Sequence, residues 1–237
     1  MTGTFCVKTM PKIYRIGTRN SPLALKQVDE ILASLKEFYP GFRAEIIEID
    51  TFGDKDKITP ISGIEGSDFF TREIDEALLR QEIDLAIHSA KDLPDKLEDG
   101  LLVAAITKSI ESCDVLISKG NLKIDEFKVG AKIGTSSLRR KKQLKQYRSD
   151  FQIVDIRGNI QERINKLYAS DLDAILIAAA GLLRLGLEDK ITQRLPQEIM
   201  QPHPYQGALA VCVRKDDFEL INFLRIIDTR SVSEATT

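Results

Sequence analysis

The stretch Arg15–Leu25 reads RIGTRNSPLAL and predicts how the fold begins. Its first residues continue the apolar run Ile13–Gly17, which is typical of a β-strand. Ser21 is a residue type that caps helix N-termini, and Pro22 suits the first helical position because its missing N–H needs no partner there. The stretch therefore predicts a strand that turns directly into a helix, with Arg19 and Ser21 at the junction.

The same alternation of short apolar strands and amphipathic helices continues along the chain. Further strands are predicted at Ala44–Ile49, Ile83–Ile87, Leu101–Ile106, Val115–Ser118, Ala131–Gly134, Phe151–Ile156, Ala174–Ala178 and Ala208–Val213. Further helices are predicted around Phe70–Leu78 and over Ser137–Tyr147, Ile160–Tyr168, Gly181–Leu187 and Phe218–Ile227. Strands that alternate with helices are typical of mostly parallel sheets covered on both faces, and here the pattern restarts after about residue 107. The sequence therefore predicts an α/β fold in two parts.

The composition is that of an ordinary folded chain with nearly balanced charge. Of the 237 residues, 43% are hydrophobic, which is enough for a substantial core, and the formal net charge is −2. This charge gives no global indication of nucleic acid or an anionic membrane as a partner. The three cysteines (Cys6, Cys113 and Cys212) lack metal-binding spacing and there are only two histidines, so no metal site is predicted. Since an apolar leader and a membrane span are also missing, we expect a soluble cytoplasmic protein.

Four predicted strand ends are polar, and three of them carry arginine. These segments are Arg19-Asn20-Ser21, His88–Asp92, Gly134–Arg140, and Arg157-Gly158-Asn159 with Arg163 one turn further on. In α/β folds, ligands bind at the carboxyl ends of strands, where helix N-termini and arginines attract anions. Any one segment alone is more readily explained by an ordinary helix cap with solvated charges. All four together predict a cleft for a ligand with several carboxylates or phosphates.

Asp92 is the candidate for acid chemistry at this cleft. It follows an apolar strand and Lys91, so we expect it at the cleft rim among cations. A carboxylate there can stabilise a developing cation or pass a proton to a leaving amine. The alternative is an ordinary Lys–Asp surface pair of little energy. His88 is interpreted as a hydrogen-bonded core residue, and His203, between two prolines, as a turn residue.

Five segments resemble the successive motifs of the porphobilinogen deaminase family. They are Arg15–Leu25 (RIGTRNSPLAL), Ile87–Pro94 (IHSAKDLP), Gly134–Arg140 (GTSSLRR), Arg157–Asn159 (RGN) and Ala178–Leu187 (AAAGLLRLGL), in the family's order and at its spacing. The resemblance runs from about Tyr14 to Arg214. It implies two similar α/β domains with mostly parallel mixed sheets, joined by a hinge as in type II periplasmic binding proteins.

By this resemblance, domain 1 comprises residues 1–107 plus 205–237, and domain 2 comprises residues 108–204. Members of the family join porphobilinogen units head to tail towards hydroxymethylbilane, a step of haem and other tetrapyrrole biosynthesis, and release ammonia each time. They do so on a dipyrromethane cofactor attached to a cysteine of a third domain. The sequence ends at Thr237, within what resembles the link to that domain, so we expect the third domain to be absent.

The resemblance also implies roles for individual residues. Asp92 is the catalytic aspartate that handles the cationic pyrrole intermediates. The acetate and propionate side chains are expected to bind to Arg19, Ser21, Lys91, Thr135, Ser137, Arg139, Arg140, Arg157, Arg163 and Arg184. None of the three cysteines matches the family's Gly-Gly-Cys attachment loop, so we expect dipyrromethane to be held without a covalent bond or to be absent. Only Cys113, near the expected hinge, would bring a thiol near the cleft.

Three functions are open on the sequence alone. The leading one is a transferase of the porphobilinogen deaminase type, which Asp92 favours because a pure anion binder gains nothing from a carboxylate among its cations. The missing cysteine favours a non-catalytic protein that binds pyrroles or another polycarboxylate. A periplasmic solute-binding sensor is disfavoured since no export signal is present. The expected partners are small acidic pyrroles, with no nucleic acid and no membrane. The chain is expected to be a monomer or a small oligomer that covers the surface left by the missing domain.

Overall fold

The computed structural model describes residues 12–55 and 68–230, which form two α/β units. Cys6 and the predicted link at Thr237 lie outside these residues. The strands are β1 (Ile13–Arg19), β2 (Arg43–Ile49), β3 (Leu85–Ser89), β4 (Leu101–Ile106), β5 (Asp114–Ser118), β6 (Lys132–Gly134), β7 (Gln152–Val154), β8 (Ala174–Ala178), β9 (Gln193–Arg194) and β10 (Leu209–Arg214). The helices are α1 (Pro22–Phe38), α2 (Phe52–Lys55), α3 (Arg72–Leu79), α4 (Leu138–Tyr147), α5 (Ile160–Ala169), α6 (Ala179–Arg184) and α7 (Phe218–Leu224).

Helix α1 begins where the opening stretch predicts it. Ser21 is the N-cap, and its hydroxyl accepts a hydrogen bond from the backbone N–H of Ala24 at 3.2 Å. Pro22 is the first helical residue. The residues of the apolar face recur at helical spacing and are fully buried: Val28, Ile31 and Leu35. The cap and the apolar face together direct the chain from the end of β1 back across the sheet.

The first sheet has the strand order β2-β1-β3-β10-β4. Strand β1 is parallel to β2 and to β3, whereas β10 pairs antiparallel with both β3 and β4. Every strand except β10 therefore runs in the same direction. Helices α1 and α7 cover one face, where the rings of Tyr14, Phe42 and Phe223 stack, and α3 covers the other.

The second sheet repeats this arrangement with the order β7-β6-β8-β5-β9. Strand β6 is parallel to β7 and β8, and β5 pairs antiparallel with β8 and β9. Helix α4 packs on one face through Leu144, while α5 and α6 pack on the other through Ile164 and Leu182. The prediction of two similar α/β parts with mostly parallel mixed sheets is confirmed.

The chain crosses between the two units twice. Residues 107–113 lead from β4 to β5, and residues 195–208 return from β9 to β10. The connections approach each other at Gly207, which has a φ of +86° and where a Cβ would lie 2.3 Å from the carbonyl oxygen of Glu111. Only glycine fits both the angle and the close approach. The predicted domain boundaries fall within these connections and stay predictions.

A few local elements differ from the sequence expectation. The four-residue helix α2 and the two-residue strand β9 are not predicted, and α6 begins at Ala179, directly after β8. Strand β7 has only three residues, although Phe151–Ile156 is predicted. Phe151 and Ile156 are buried in the segments that flank β7, so their apolar character reflects core packing rather than strand pairing.

Helix α3 carries a buried carboxylate that the described residues leave without a hydrogen bond. Asp75 is 1% exposed, and neither of its side-chain oxygens has a hydrogen-bond partner in this part of the chain. Burial raises the pKa of Asp75 to about 6, although the nearby Thr71 hydroxyl acts in the opposite direction; in an unfolded chain the pKa is about 3.9. The folded state therefore binds the proton more tightly. At pH 7 the buried charge lowers the free energy of unfolding by its full amount. This destabilisation disappears as the pH falls from about 6 towards 4, because the carboxylate is then protonated.

Asp75→Asn is expected to raise the free energy of unfolding at pH 7 by about 1–3 kcal/mol, because the amide brings no charge into the core. The matched control is Asp84→Asn. Asp84 is equally buried, but it accepts a hydrogen bond from the backbone N–H of Arg15 at 2.8 Å and pairs with Lys12, so its loss is expected to destabilise. Urea unfolding at pH 5 and pH 7 measures both variants. An Asp75→Asn protein less stable than the wild type at pH 7 would contradict this expectation.

Candidate active site

The polar strand ends of both units meet in one cleft of about 630 Å³. The first unit contributes the residues that follow β1 and β3, and the second contributes the residues that follow β6 and β7. This is the position that α/β sheets generally give to a ligand, since the carboxyl ends of neighbouring parallel strands open at the same edge. The helix caps face it too: Ser137 precedes α4 and makes no capping hydrogen bond with its side chain.

Every residue of the predicted site except Thr135 lines this cleft. The lining residues from that set are Arg19, Ser21, Lys91, Asp92, Ser137, Arg139, Arg140, Arg157, Arg163 and Arg184. Thr135 is 1% exposed and its hydroxyl has no hydrogen-bond partner among the described residues. Thr135 is therefore buried and absent from the cleft lining, while the catalytic role of Asp92 and the binding roles of the other ten residues stay predictions.

Arg19 is held at the cleft by a carboxylate and an aromatic ring. Its Nε donates to Asp54 Oδ2 at 3.2 Å and its second guanidinium nitrogen donates to Oδ1. The guanidinium also lies 4.4 Å from the centre of the Phe70 ring. Burial by itself would raise the pKa of Asp54, but the hydrogen bond and charge of Arg19 outweigh it and hold the pKa below its usual value. Arg19 is thus fixed in place before any ligand binds.

Arg139 and Arg140 share one buried carboxylate, that of Asp114. Arg140 donates to Asp114 Oδ1 from Nε at 3.0 Å and from Nη2 at 2.6 Å, and Arg139 Nη2 donates to Oδ2 at 2.6 Å. Burial tends to raise the pKa of Asp114, yet the two arginines more than compensate and keep it low. Arg140 is itself only 6% exposed. Its guanidinium is therefore mainly part of the protein interior, whereas Arg139 reaches further towards the cleft.

Arg184 connects the two units. Its Nε and Nη2 donate to the Glu30 carboxylate of α1 at 2.7 and 3.0 Å, and Nη2 also donates to the carbonyl oxygen of Gly207 at 2.9 Å. Its side chain is 5% exposed. A two-pronged arginine–carboxylate pair with this little exposure fixes the distance between α1 and α6. Arg184 therefore links the two units, a role that its sequence motif does not reveal.

The cleft concentrates positive charge. Burial, together with the charges of Arg140 and Arg139, lowers the pKa of Lys91 to about 8, although the carboxylates of Asp92 and Asp114 act in the opposite direction. Burial likewise lowers the pKa of Arg163 to about 10, together with the charges of Arg140 and Arg157. Both pKa values are lowered because burial removes water from the charged groups and because neighbouring cations repel one another. An anionic ligand would relieve that repulsion, so the electrostatics of the cleft favour a polyanion.

Asp92 brings a negative charge close to these cations. It is exposed to the cleft, and its charge opposes the lowered pKa values of Lys91, Arg163 and His88. His88 lies beside it on the wall of a smaller side cavity of about 70 Å³. Burial and then the charge of Arg19 lower the pKa of His88 to about 4, so its ring is neutral near pH 7. The core position predicted for His88 is correct, although its Nε2 has no hydrogen-bond partner in the described part of the chain.

Two buried polar residues of the site are missing from the sequence prediction. Asp114 and Gln206 are both 0% exposed, and Gln206 Nε2 donates to Asp114 Oδ1 at 3.0 Å. Asp114 does leave a signal, because a charged residue that opens the buried run Asp114–Ser118 must have a partner. Gln206 follows Tyr205 in an irregular segment, and no local pattern distinguishes it there from a turn residue.

The Cys113 thiol is poorly suited to covalent attachment. It is absent from the residues that line the cleft, and it packs beside the apolar cluster under β5 and β8. Burial, followed by the charge of Glu111, raises the pKa of this thiol to about 11. A thiol is nucleophilic as its thiolate, so a raised pKa makes Cys113 unreactive near pH 7. The interior thiol of Cys212 has a raised pKa for the same reason, burial.

Comparison with solved structures defines the class of protein. The methionine binding protein MetQ superposes with a TM-score of 0.58 at 16% identity, over 95% of this chain and 94% of that one. The probable amino-acid transporter extracellular-binding protein YtmK of Bacillus subtilis gives 0.55 at 12% identity, over 95% and 94%. These likenesses show the fold alone. The chain is a two-unit α/β cleft protein with the type II periplasmic-binding-protein fold. Within the described ranges, no helix has the length and apolar character needed to cross a membrane.

The family follows from sequence comparison. Residues 14–222 match the family described as porphobilinogen deaminase, dipyromethane cofactor binding domain. Porphobilinogen deaminases from Natranaerobius thermophilus and Geotalea uraniireducens are 47% and 45% identical over 90% and 88% of this chain. The chain covers 69% and 65% of those proteins, so it spans about two thirds of the length of the curated relatives. The chain belongs to the porphobilinogen deaminase family.

Proposed function

We propose that this cleft binds porphobilinogen and condenses it, with release of ammonia, towards hydroxymethylbilane. One observation carries the proposal: the exposed carboxylate of Asp92 lines the same cleft as six arginines and Lys91, and its charge acts on Lys91 and Arg163. Porphobilinogen has matching chemistry, with two carboxylates for the cations and one aminomethyl group for the aspartate. The family and its curated relatives support the same activity.

In this proposal the cations orient the substrate and Asp92 acts on the carbon that reacts. Arg157 and Arg163 receive the acetate and propionate groups, and Lys91 adds a third positive charge below about pH 8. Asp92 supplies a proton to the amine as the carbon–nitrogen bond breaks and then stabilises the positive charge on the methylene carbon. Once ammonia has left, that carbon forms its new bond to a pyrrole carbon, and the proton that the pyrrole carbon loses returns to the Asp92 carboxylate.

Dipyrromethane fits the same donors, because it carries the same acetate and propionate groups as the substrate. When bound, it supplies the nucleophilic pyrrole carbon to which the first substrate unit is joined. We infer that, within the described residues, Arg139, Ser137 and Arg157 hold it through its carboxylates rather than through a thiol. The raised pKa of Cys113 supports this inference. Intact mass and absorbance of the purified protein test it, since a covalent pyrrole adduct lost in Cys113→Ser would contradict it.

Incubation with porphobilinogen tests the activity directly. The expected result is release of ammonia together with a linear tetrapyrrole that cyclises and oxidises to a fluorescent porphyrin. Reversible binding of porphobilinogen with no release of ammonia would overturn the proposed activity and support the non-catalytic binder. No contact in the described cleft favours that alternative. The expected cytoplasmic location, the oligomeric state and the small acidic pyrrole partners stay predictions.

The affinity for porphobilinogen is expected to fall about tenfold as the pH rises through about 8. Lys91 carries its charge below this pKa and loses it above, so one charge-assisted contact to the ligand disappears. Lys91→Arg is the matched variant, because a guanidinium keeps its charge throughout this range, and it should flatten the decline. Calorimetric titrations between pH 6.5 and 9 measure the effect. An equally steep decline in Lys91→Arg would assign the titration to another group.

A further inference from the structure

Asp114 occupies a position where a charge needs a specific reason. It is the first residue of β5, directly after the connection from the first unit, and it is 0% exposed. The two guanidinium groups of Arg139 and Arg140 occupy both of its carboxylate oxygens. A buried carboxylate is costly unless its partners are well placed, so the position of Asp114 fixes the positions of both arginines.

Gln206 joins this carboxylate to the other unit of the protein. Its Nε2 donates to Asp114 Oδ1 at 3.0 Å and to the carbonyl oxygen of Ser112 at 2.5 Å. Its Oε1 accepts from Lys91 Nζ at 3.4 Å and from Arg139 Nη2 at 3.5 Å. An amide has donors at one end and an acceptor at the other, so this orientation is the one that satisfies all four contacts.

We propose that Asp114 and Gln206 form a positioning bridge across the cleft, which holds Arg139 and Arg140 in the second unit and Lys91 in the first unit in one arrangement before ligand binds. In the proposed function, neither Asp114 nor Gln206 touches a reacting atom. The relevance of this Asp114–Gln206 bridge to catalysis rests on that proposed function. Gln206 lies in the returning connection, one residue before Gly207, so the bridge also ties the cleft to the place where the two units are joined.

The pKa of Lys91 reports on the Asp114–Gln206 bridge, because it depends on the charges around this lysine. Asp92 faces Lys91 from the same turn, Arg139 and Arg140 face it from α4, and Asp114 faces it from β5. The two carboxylates stabilise the protonated amine and the two arginines oppose it. Removal of the Asp114 charge should therefore lower the pKa of Lys91 further. A loss of packing alone would not shift this pKa in a defined direction.

Competitive labelling of the ligand-free protein with acetic anhydride, read by peptide mass spectrometry over pH 6–11, measures the pKa of Lys91. In Asp114→Asn, which keeps the shape and removes the charge, the Lys91 pKa is expected to fall by at least about half a unit. Asp84→Asn is the matched control, because Asp84 is a buried carboxylate with cationic partners at the opposite end of β3. It should leave the Lys91 pKa unchanged even though it lowers stability.

Gln206→Leu provides an independent variant in case Asp114→Asn does not fold. It removes the oxygen that accepts from Lys91, so it too should lower the Lys91 pKa. The affinity for porphobilinogen should fall about tenfold in either variant, since the arginines and Lys91 lose their fixed arrangement. The bridge would be refuted if neither variant moved the Lys91 pKa, or if Asp84→Asn moved it equally.

The labelling readout needs no substrate, which separates this inference from the proposed function. A wild-type protein with the expected Lys91 titration that releases no ammonia from porphobilinogen would refute the function and leave the bridge intact. A wild-type protein that condenses porphobilinogen, with variants that titrate and bind as the wild type does, would refute the bridge and leave the function intact.

Discussion

Asp92→Asn is expected to lower the turnover of porphobilinogen by on the order of 10²–10⁴-fold while leaving the fold intact. The amide keeps the shape of the carboxylate, but it neither supplies a proton to the leaving amine nor stabilises a positive methylene carbon. Asp92 is exposed and follows β3 in a short turn, so little of the core depends on it. The initial rate of ammonia release at saturating substrate measures the effect, and the loss should fall on kcat rather than on KM.

Asp99→Asn is the matched control for this measurement. Asp99 belongs to the same connection between β3 and β4, its side chain is 89% exposed, and it is absent from the cleft lining. It should turn over porphobilinogen as the wild type does. Comparable rates for Asp92→Asn and Asp99→Asn would remove Asp92 from the mechanism.

Arg140→Leu is expected to destabilise the protein by about 3 kcal/mol, because it leaves the buried Asp114 carboxylate with fewer partners. Arg139 still pairs with Asp114, which places the effect at the lower end of the range for a broken buried ion pair. For a chain of this size the loss corresponds to a fall in Tm of roughly 6–12 °C. Thermal unfolding followed by circular dichroism measures it.

Arg157→Leu is the contrasting variant. Arg157 lines the cleft and is half-buried at the end of the segment after β7. Its replacement should weaken porphobilinogen binding by about tenfold or more and change Tm less than Arg140→Leu does. Calorimetric titration and thermal unfolding of both variants give a two-by-two comparison. An Arg140→Leu protein as stable as the wild type would show that Asp114 does not need this partner.

The strand ends of the cleft were accessible to sequence reasoning because they depend on local patterns. Ser21 and Pro22 mark the start of α1, and the strand Leu101–Ile106 is predicted with the bounds that the structure shows. The insertion of β10 between β3 and β4 could not be predicted in this way. Strand pairing is a long-range property, and a period of two residues does not specify the neighbour.

The same limit explains why the arginines could be predicted as a group but not sorted by role. The motifs of the family identify Arg139, Arg140 and Arg184 equally well, and strand-end position supports the first two. Their partners are distant in sequence: Asp114 lies 26 positions from Arg140, and Glu30 lies 154 positions from Arg184. Whether a guanidinium faces a ligand or an internal carboxylate depends on that tertiary context, which the local sequence does not contain.

The position of β10 has a consequence for the order in which the protein matures on the ribosome. All strands of the second sheet have been synthesised once Met200 has been added, so this later-encoded half can close its core as a continuous segment. The earlier-encoded half must wait for residues 209–214, and until then β3 and β4 each present an open edge to the surroundings. Unpaired strand edges attract other chains. The N-terminal half of the nascent polypeptide is therefore expected to expose strand edges for longer than the second half, although it leaves the exit tunnel first.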